Sequence, residues 1–198
     1  MKKGKFIVIE GIDQSGKKTQ SLLLKNRLKK KGYKVGYLSF PKYNTNIGKL
    51  VKKCLHDDRF SVQTSHVLLS ANRWEAEKEI YQNLEKMDFL VCNRYRDSNI
   101  AYGLANGLEK KWLENLDLGL PKPDLTILID IPITESVIRK TKNRDRYEKN
   151  KKFLKNVKSR YMKLATMRKW KIIKGDRSKG EVSKDIWNIV VKRYKIKE

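Results

Sequence analysis

At 198 residues the chain is long enough for one sizeable domain and short for two. Apolar residues make up 39% of it, which supplies a packed core, yet no apolar run approaches the ~20 residues that cross a bilayer, so no membrane partner is expected. A formal net charge of +25 leaves three explanations: small anionic substrates, nucleic acid, or a lysine-rich proteome.

The first apolar run, residues 6–9 (FIVI), ends at Glu10. It is too short for the core of a signal peptide and reads as a buried strand, which points to a cytoplasmic protein. Directly after it comes GIDQSGKKTQ (11–20), with Gly-x-x-x-x-Gly-Lys spacing, and then the helical pattern Leu22, Leu23, Leu24 and Leu28. Strand, glycine loop and helix in this order bring backbone N–H groups and a helix N-terminus together on an anion. Gly11 and Gly16 permit close backbone approach, and Lys17 can reach terminal phosphates as a point charge. A plain strand-to-helix turn would not need Lys17 in that register. The expected nucleotide-binding loop is therefore Gly11, Ile12, Asp13, Gln14, Ser15, Gly16, Lys17, Lys18 and Thr19.

Strand-length runs recur at 35–39 (VGYLS), 89–92 (FLVC), 125–131 (LTILIDI) and 170–173 (WKII). Helical spacing relates Phe153, Val157, Tyr161 and Leu164, and again Val182, Ile186, Ile189 and Val190. Strands that are apolar throughout and alternate with helices predict an α/β fold, a parallel sheet covered on both faces. No repeat, proline-rich linker or break in composition divides the chain, so residues 1–198 are expected to form one domain. Residues 139–152 (RKTKNRDRYEKNKK) are nearly devoid of apolar side chains and read as a mobile lid or a solvated connection between helices. Cys54, Cys92, His56 and His66 lack metal-site spacing, and the two cysteines read as reduced structural thiols. Much of the lysine excess lies in segments such as LKKKGYK and KNKKFLKNVKSRYMKL, with few aromatics interleaved. These are solvated faces rather than a base-reading surface, so no specific nucleic-acid partner is expected.

Six stretches in order carry a family likeness: EGIDQSGKKTQ (10–20), FPKYNTNIGKL (40–50), LLSANRWE (68–75), NRYRDSNIAYG (93–103), GLPKPDL (119–125) and DRYE (145–148). Together they resemble the thymidylate kinases, nucleoside-monophosphate kinases of the phosphate-loop class. The resemblance implies a three-layer α/β/α fold with a five-stranded parallel sheet and a basic lid over about residues 139–152. It also implies ATP as phosphate donor, dTMP as acceptor, Mg²⁺, and a homodimer.

Residue by residue, the resemblance makes Arg73 a donor to a base carbonyl, Phe40 a stacking partner for the base and Arg94 the clamp on the acceptor phosphate. Tyr102 would press on the sugar and disfavour a ribose 2′-hydroxyl, and Asp13 would accept from the 3′-hydroxyl. Tyr43 and Ser98 complete the acceptor site. Lys17, Arg94, Arg139 and Arg144 form the implied catalytic set. Position 14, where some members carry a loop cation, is the uncharged Gln14, so the cation facing the transferring group is expected from the lid residues Arg139, Lys142, Arg144 or Arg146.

Four positions depart from the family pattern. Lys18 replaces the loop Ser or Thr and has no lone pair for Mg²⁺, and Asn93 replaces an Asp. Tyr43 stands where many members carry an Arg, and Leu69 where some place a Phe against the thymine. No metal ligand is assigned; Thr19 could offer a hydroxyl and Asn93 a carbonyl to a metal-bound water, with Mg²⁺ held mainly by phosphates and water. The alternatives are a kinase for another nucleotide, or a nucleotide-binding protein with impaired catalysis.

Overall fold

The computed structural model describes residues 4–139 and 150–197. Five strands form one parallel sheet: β1 (Lys5–Glu10), β2 (Val35–Ser39), β3 (Phe89–Asn93), β4 (Leu125–Asp130) and β5 (Lys171–Lys174), in the order β2-β3-β1-β4-β5. The expected α/β class and five-stranded parallel sheet are what is found. On β1 the alternation of a strand sends Phe6 and Val8 to one face and Ile7 and Ile9 to the other, and all four are fully buried. Both faces are covered, which explains why such strands read as unbroken apolar runs. The edge strand β5 differs: both of its terminal lysines are exposed, a charged border that discourages pairing with another chain.

Helix α1 (Lys17–Lys30) follows β1, and α2 (Asn46–His56), α3 (Val62–Trp74) and α4 (Glu77–Lys86) lie between β2 and β3. After β3 come α5 (Arg96–Ala105) and α6 (Lys110–Asn115); after β4 comes α7 (Ile133–Ile138). Helix α8 (Lys151–Met167) precedes β5, and α9 (Lys179–Tyr194) follows it. Helix starts are capped where the sequence offers a short polar side chain: Thr45 accepts from Gly48 N, Ser61 from Thr64 N, and Ser178 with Glu181 forms a capping box. Asn150 accepts from Phe153 N and starts α8, so Lys151 and Lys152, at the end of the expected lid segment, are helical.

The register positions the site. Ser39, Asn93 and Ile9 stand level across β2, β3 and β1. The ladder then runs one step further, through Phe40 N to Asn93 O and Arg94 N to Ile9 O, each 3.0 Å. Glu10, Phe40 and Arg94 therefore emerge together at the carboxyl edge, where open α/β sheets bind ligands. Both cysteines are buried and unpaired, as expected. Among the described residues no helix is long and apolar enough to cross a membrane.

Candidate functional site

The glycine loop sits between β1 and α1. Gly11 and Gly16 have φ of 150° and 87°, and a Cβ on Gly11 would lie 2.6 Å from Ile129 O, so the first loop position requires glycine. No side chain caps α1, and its first turn carries no acidic residue, which leaves this helix start open to an anion. Lys17 is buried, its Nζ donating to Ile12 O at 2.5 Å and to Ser15 Oγ at 3.3 Å. Arg139, at the end of α7, reaches the same loop: its Nη1 donates to Gln14 O at 3.3 Å and its Nη2 to Gly175 O at 3.2 Å. Of the other proposed lid cations, Lys142, Arg144 and Arg146 lie outside the described residues, as does the DRYE stretch.

Residues 18 and 19 separate on the helix. Lys18 lines a wide cleft shared with Asp13, Asn93 and Arg94, whereas Thr19 is exposed and does not line it. The Thr19 hydroxyl, which could serve a metal-bound water, does not line this cleft. Asn93 is buried, with Nδ2 donating to Ser39 Oγ at 2.8 Å and Oδ1 left without a hydrogen-bond partner.

Beside the loop lies a second cleft. Asp13, Phe40, Tyr43, Arg73, Arg94, Ser98 and Tyr102, which come from five separate segments, all line it, and Leu69 does too. Phe40 is mostly buried and tilts against Tyr95 with ring centroids 5.9 Å apart, so core packing and a pocket wall are combined in one ring.

At the floor of this cleft, charges and hydroxyls are tightly connected. Arg94 Nη2 donates to Asp13 Oδ1 at 2.6 Å, and Tyr102 OH donates to Asp13 Oδ2 at 2.5 Å. Arg94 Nη1 donates to Ser98 Oγ at 3.0 Å and to Tyr161 OH at 3.1 Å. The Ser98 hydroxyl in turn donates to Glu10 at 2.7 Å, so it is occupied in holding Arg94 rather than facing a ligand freely. Arg94 has φ of 61°, unusual for a side-chain-bearing residue and consistent with a functional constraint.

Burial pushes the Asp13 carboxyl up, but the Arg94 and Lys17 charges and the Tyr102 hydroxyl outweigh it and hold the group down at about 2. Burial and the Asp13 charge raise the Tyr102 phenol well above its ordinary value, so it stays a donor. Glu10 was not marked by the sequence. It is fully buried, accepts from Tyr95 N at 2.9 Å, Ser98 Oγ and Tyr161 OH, and burial raises its carboxyl. A lone carboxylate closing an apolar strand was the available signal.

The SANRW run (70–74) of α3 also resolves into contacts. Asn72 grips the loop after β2, accepting from Lys42 N at 2.7 Å and donating to Lys42 O at 3.2 Å. Arg73 makes a paired contact with Asp117, Nε to Oδ1 and Nη2 to Oδ2, both 2.8 Å. Trp74 Nε1 donates to Leu116 O at 2.8 Å, and the single Ser70 hydroxyl hydrogen is shared between Leu116 O and Asp117 Oδ1. Asp117 is a further residue that sequence reasoning missed. The site thus joins an anion-binding loop to a cleft with one apolar wall, one fixed guanidinium in its lining and a second at its floor.

The thymidylate kinase family model matches residues 9–186. The thymidylate kinase of Plasmodium falciparum is 44% identical over 150 residues, covering 75% of this chain and 71% of that one. The human thymidylate kinase is 34% identical over 189 residues, covering 93% of this chain and 89% of its own length. A solved thymidylate kinase from Candida albicans superposes with a TM-score of 0.83 at 31% identity, over 98% of this chain and 94% of that one. Loop, sheet order and cleft therefore occur in a sequence that matches one family over most of its length, and the chain belongs to the thymidylate kinases.

Proposed function

We propose that this chain transfers the γ-phosphoryl group of ATP to dTMP, giving ADP and dTDP. The observation that carries the reading is the single cleft that gathers all seven expected acceptor-site residues beside the phosphate loop. Phosphoryl transfer depends mainly on alignment and charge compensation. Lys17 and the open start of α1 hold the donor phosphates; Lys17 exchanges its contacts with Ile12 O and Ser15 for phosphate oxygens. Arg94 holds the acceptor phosphate while Asp13, Ser98 and Tyr161 fix its guanidinium. Ionised Asp13 accepts from the sugar 3′-hydroxyl, Tyr102 stands against the 2′ position, and Phe40 and Arg73 meet the base.

Arg139 bridges Gln14 and Gly175 beside the loop, which suits a cation that turns toward the transferring group once nucleotide arrives. With Arg144 and the rest of the segment over about residues 139–152 it forms the proposed lid, whose closure excludes water. The same reading takes the working unit to be a cytoplasmic homodimer, with residues 1–198 as one domain and no specific nucleic-acid partner.

Mg²⁺ fits this site through one protein oxygen. Asn93 Oδ1, buried and without a partner, suits a water of a hydrated cation, whereas Lys18 cannot ligate. When bound, the ion would be held mainly by phosphates and water and would offset charge on the phosphates.

A second reading, a kinase for a wider set of nucleotides, is favoured by Leu69 and the half-exposed Tyr43 in the cleft wall. The Candida albicans relative is described as having broad substrate specificity. Coupled ADP-release assays with a panel of monophosphates decide between them. Preference for dTMP supports the first reading; equal turnover of dTMP and dCMP overturns it.

A further inference from the structure

Arg73 meets the base cleft in a fixed orientation, and what fixes it lies outside the cleft. Asp117, in the loop after α6 and 44 residues away, takes the Nε and Nη2 hydrogens along one edge of the guanidinium. The pair is almost fully enclosed, with side-chain exposures of 3% for Arg73 and 1% for Asp117. Ser70, one helical turn before Arg73, shares its one hydroxyl hydrogen between Asp117 Oδ1, at 2.9 Å, and Leu116 O, at 2.8 Å, so the carboxylate is itself held. Leu116 O is gripped by Ser70 and Trp74, which fastens the loop to α3 on both sides of Arg73. Arg73 Nη1 has no partner among the described residues, and Arg73 is part of the cleft lining.

We propose that Asp117, supported by Ser70, is the positioning residue that sets base specificity in this kinase, an inference that rests on the dTMP reading above. Arginine only donates, so a carbonyl at position 4 of a pyrimidine pairs with Nη1, whereas an amino group there sets donor against donor. That mismatch discriminates only if the guanidinium cannot withdraw. An arginine without Asp117 has several rotatable bonds with which to swing aside when the wrong base enters. Held along one edge by a buried carboxylate, it stays, and the unpaired donor is left facing the intruding amine. The carboxylate also balances the buried charge, so the cleft takes a neutral base without an uncompensated cation.

The test is Asp117→Asn, which keeps shape but replaces one acceptor with a donor aimed at the guanidinium. Steady-state kinetics with dTMP and dCMP would be measured for the wild type, Asp117→Asn, Arg73→Ala and the double variant. KM for dTMP should rise more than kcat falls, and the dTMP-over-dCMP preference in kcat/KM should narrow roughly tenfold or more. In the Arg73→Ala background Asp117→Asn should not change the preference further. A wild type that prefers dTMP, beside a folded Asp117→Asn of unchanged preference, overturns the inference and leaves the function standing. A change of preference that persists without Arg73 also overturns it. If Asp117→Asn does not fold, Ser70→Ala reads the same property: a smaller narrowing supports the proposal, and an unaltered preference in that folded variant sinks it. A wild type that turns over dTMP and dCMP equally fails at the function itself, and the inference falls with it.

Discussion

Asp13, on the phosphate loop, accepts a 2.6 Å hydrogen bond from Arg94, which stands 81 residues later at the end of β3. The contact joins the donor side of the cleft to the acceptor side. The Asp13 carboxyl is held at about 2: burial raises it, and Arg94, Lys17 and Tyr102 together outweigh burial. In an unfolded chain the same group titrates near ~3.9. Between those values the folded state binds fewer protons, so the stabilisation is complete above about pH 4 and is lost as pH falls toward 2. Its size is on the order of 2 kcal/mol. Buried Glu10, titrating above its usual range, acts in the opposite sense, so comparison with a variant isolates Asp13. Urea unfolding followed against pH should show Asp13→Asn less stable at neutral pH and flatter below pH 4. Parallel curves for the two proteins would show that the carboxylate contributes nothing to this stability.

Base recognition divides into a polar and an apolar part. Removing Arg73 leaves a base carbonyl without its donor and buried Asp117 without its counter-charge, so Arg73→Ala should lower kcat/KM for dTMP by about 10²-fold or more. Leu69→Phe only reshapes an apolar wall and should shift dTMP binding by at most ~1–3 kcal/mol. Steady-state kinetics and calorimetric titration of dTMP with both variants check these effects, and a reversed ranking would move base reading away from α3.

The compensating cation is expected from the lid because Gln14 carries no charge. Arg139→Ala, Lys142→Ala or Arg144→Ala should lower kcat more than it raises KM, since the cation matters most in the transition state. At least one of the three should lose on the order of 10²-fold in kcat. Near-native kcat in all three would place the cation elsewhere.

Lys18 and Asn93 share a cleft in which a hydroxyl and a carboxylate would favour a metal. Lys18→Ser combined with Asn93→Asp should lower the Mg²⁺ concentration that gives half-maximal rate. Lys17→Ala should nearly abolish turnover in either background. A half-maximal concentration that does not move in the double variant would remove both positions from any role with the metal.

The strands were legible because burial on both faces left them no polar alternation to confuse, and each observed strand covers the predicted run to within a residue or two. The acceptor cleft was legible only through family likeness, since Phe40, Arg73 and Arg94 belong to segments that no local pattern connects. Tyr161 illustrates the limit. Its spacing on α8 marks it as core, and its ring is core, but the hydroxyl at its tip reaches Arg94, Ser98 and Glu10. Periodicity records which face a residue occupies and says nothing of what its far end touches. Asp117 escaped notice for a related reason: its partner is on α3, and no spacing within its own loop indicates a buried charge.

The place of β1 between β3 and β4 has a consequence for how the protein is made. This strand, with the phosphate loop behind it, leaves the ribosome before either of the strands that flank it. Until β3 emerges it can pair with neither neighbour, and one edge stays open until β4 follows. Unpaired apolar strands held in that state invite association with other chains. The contacts that close around the nucleotide-binding loop arrive in the same order: Arg94 follows directly on β3, and Arg139 is made only after β4.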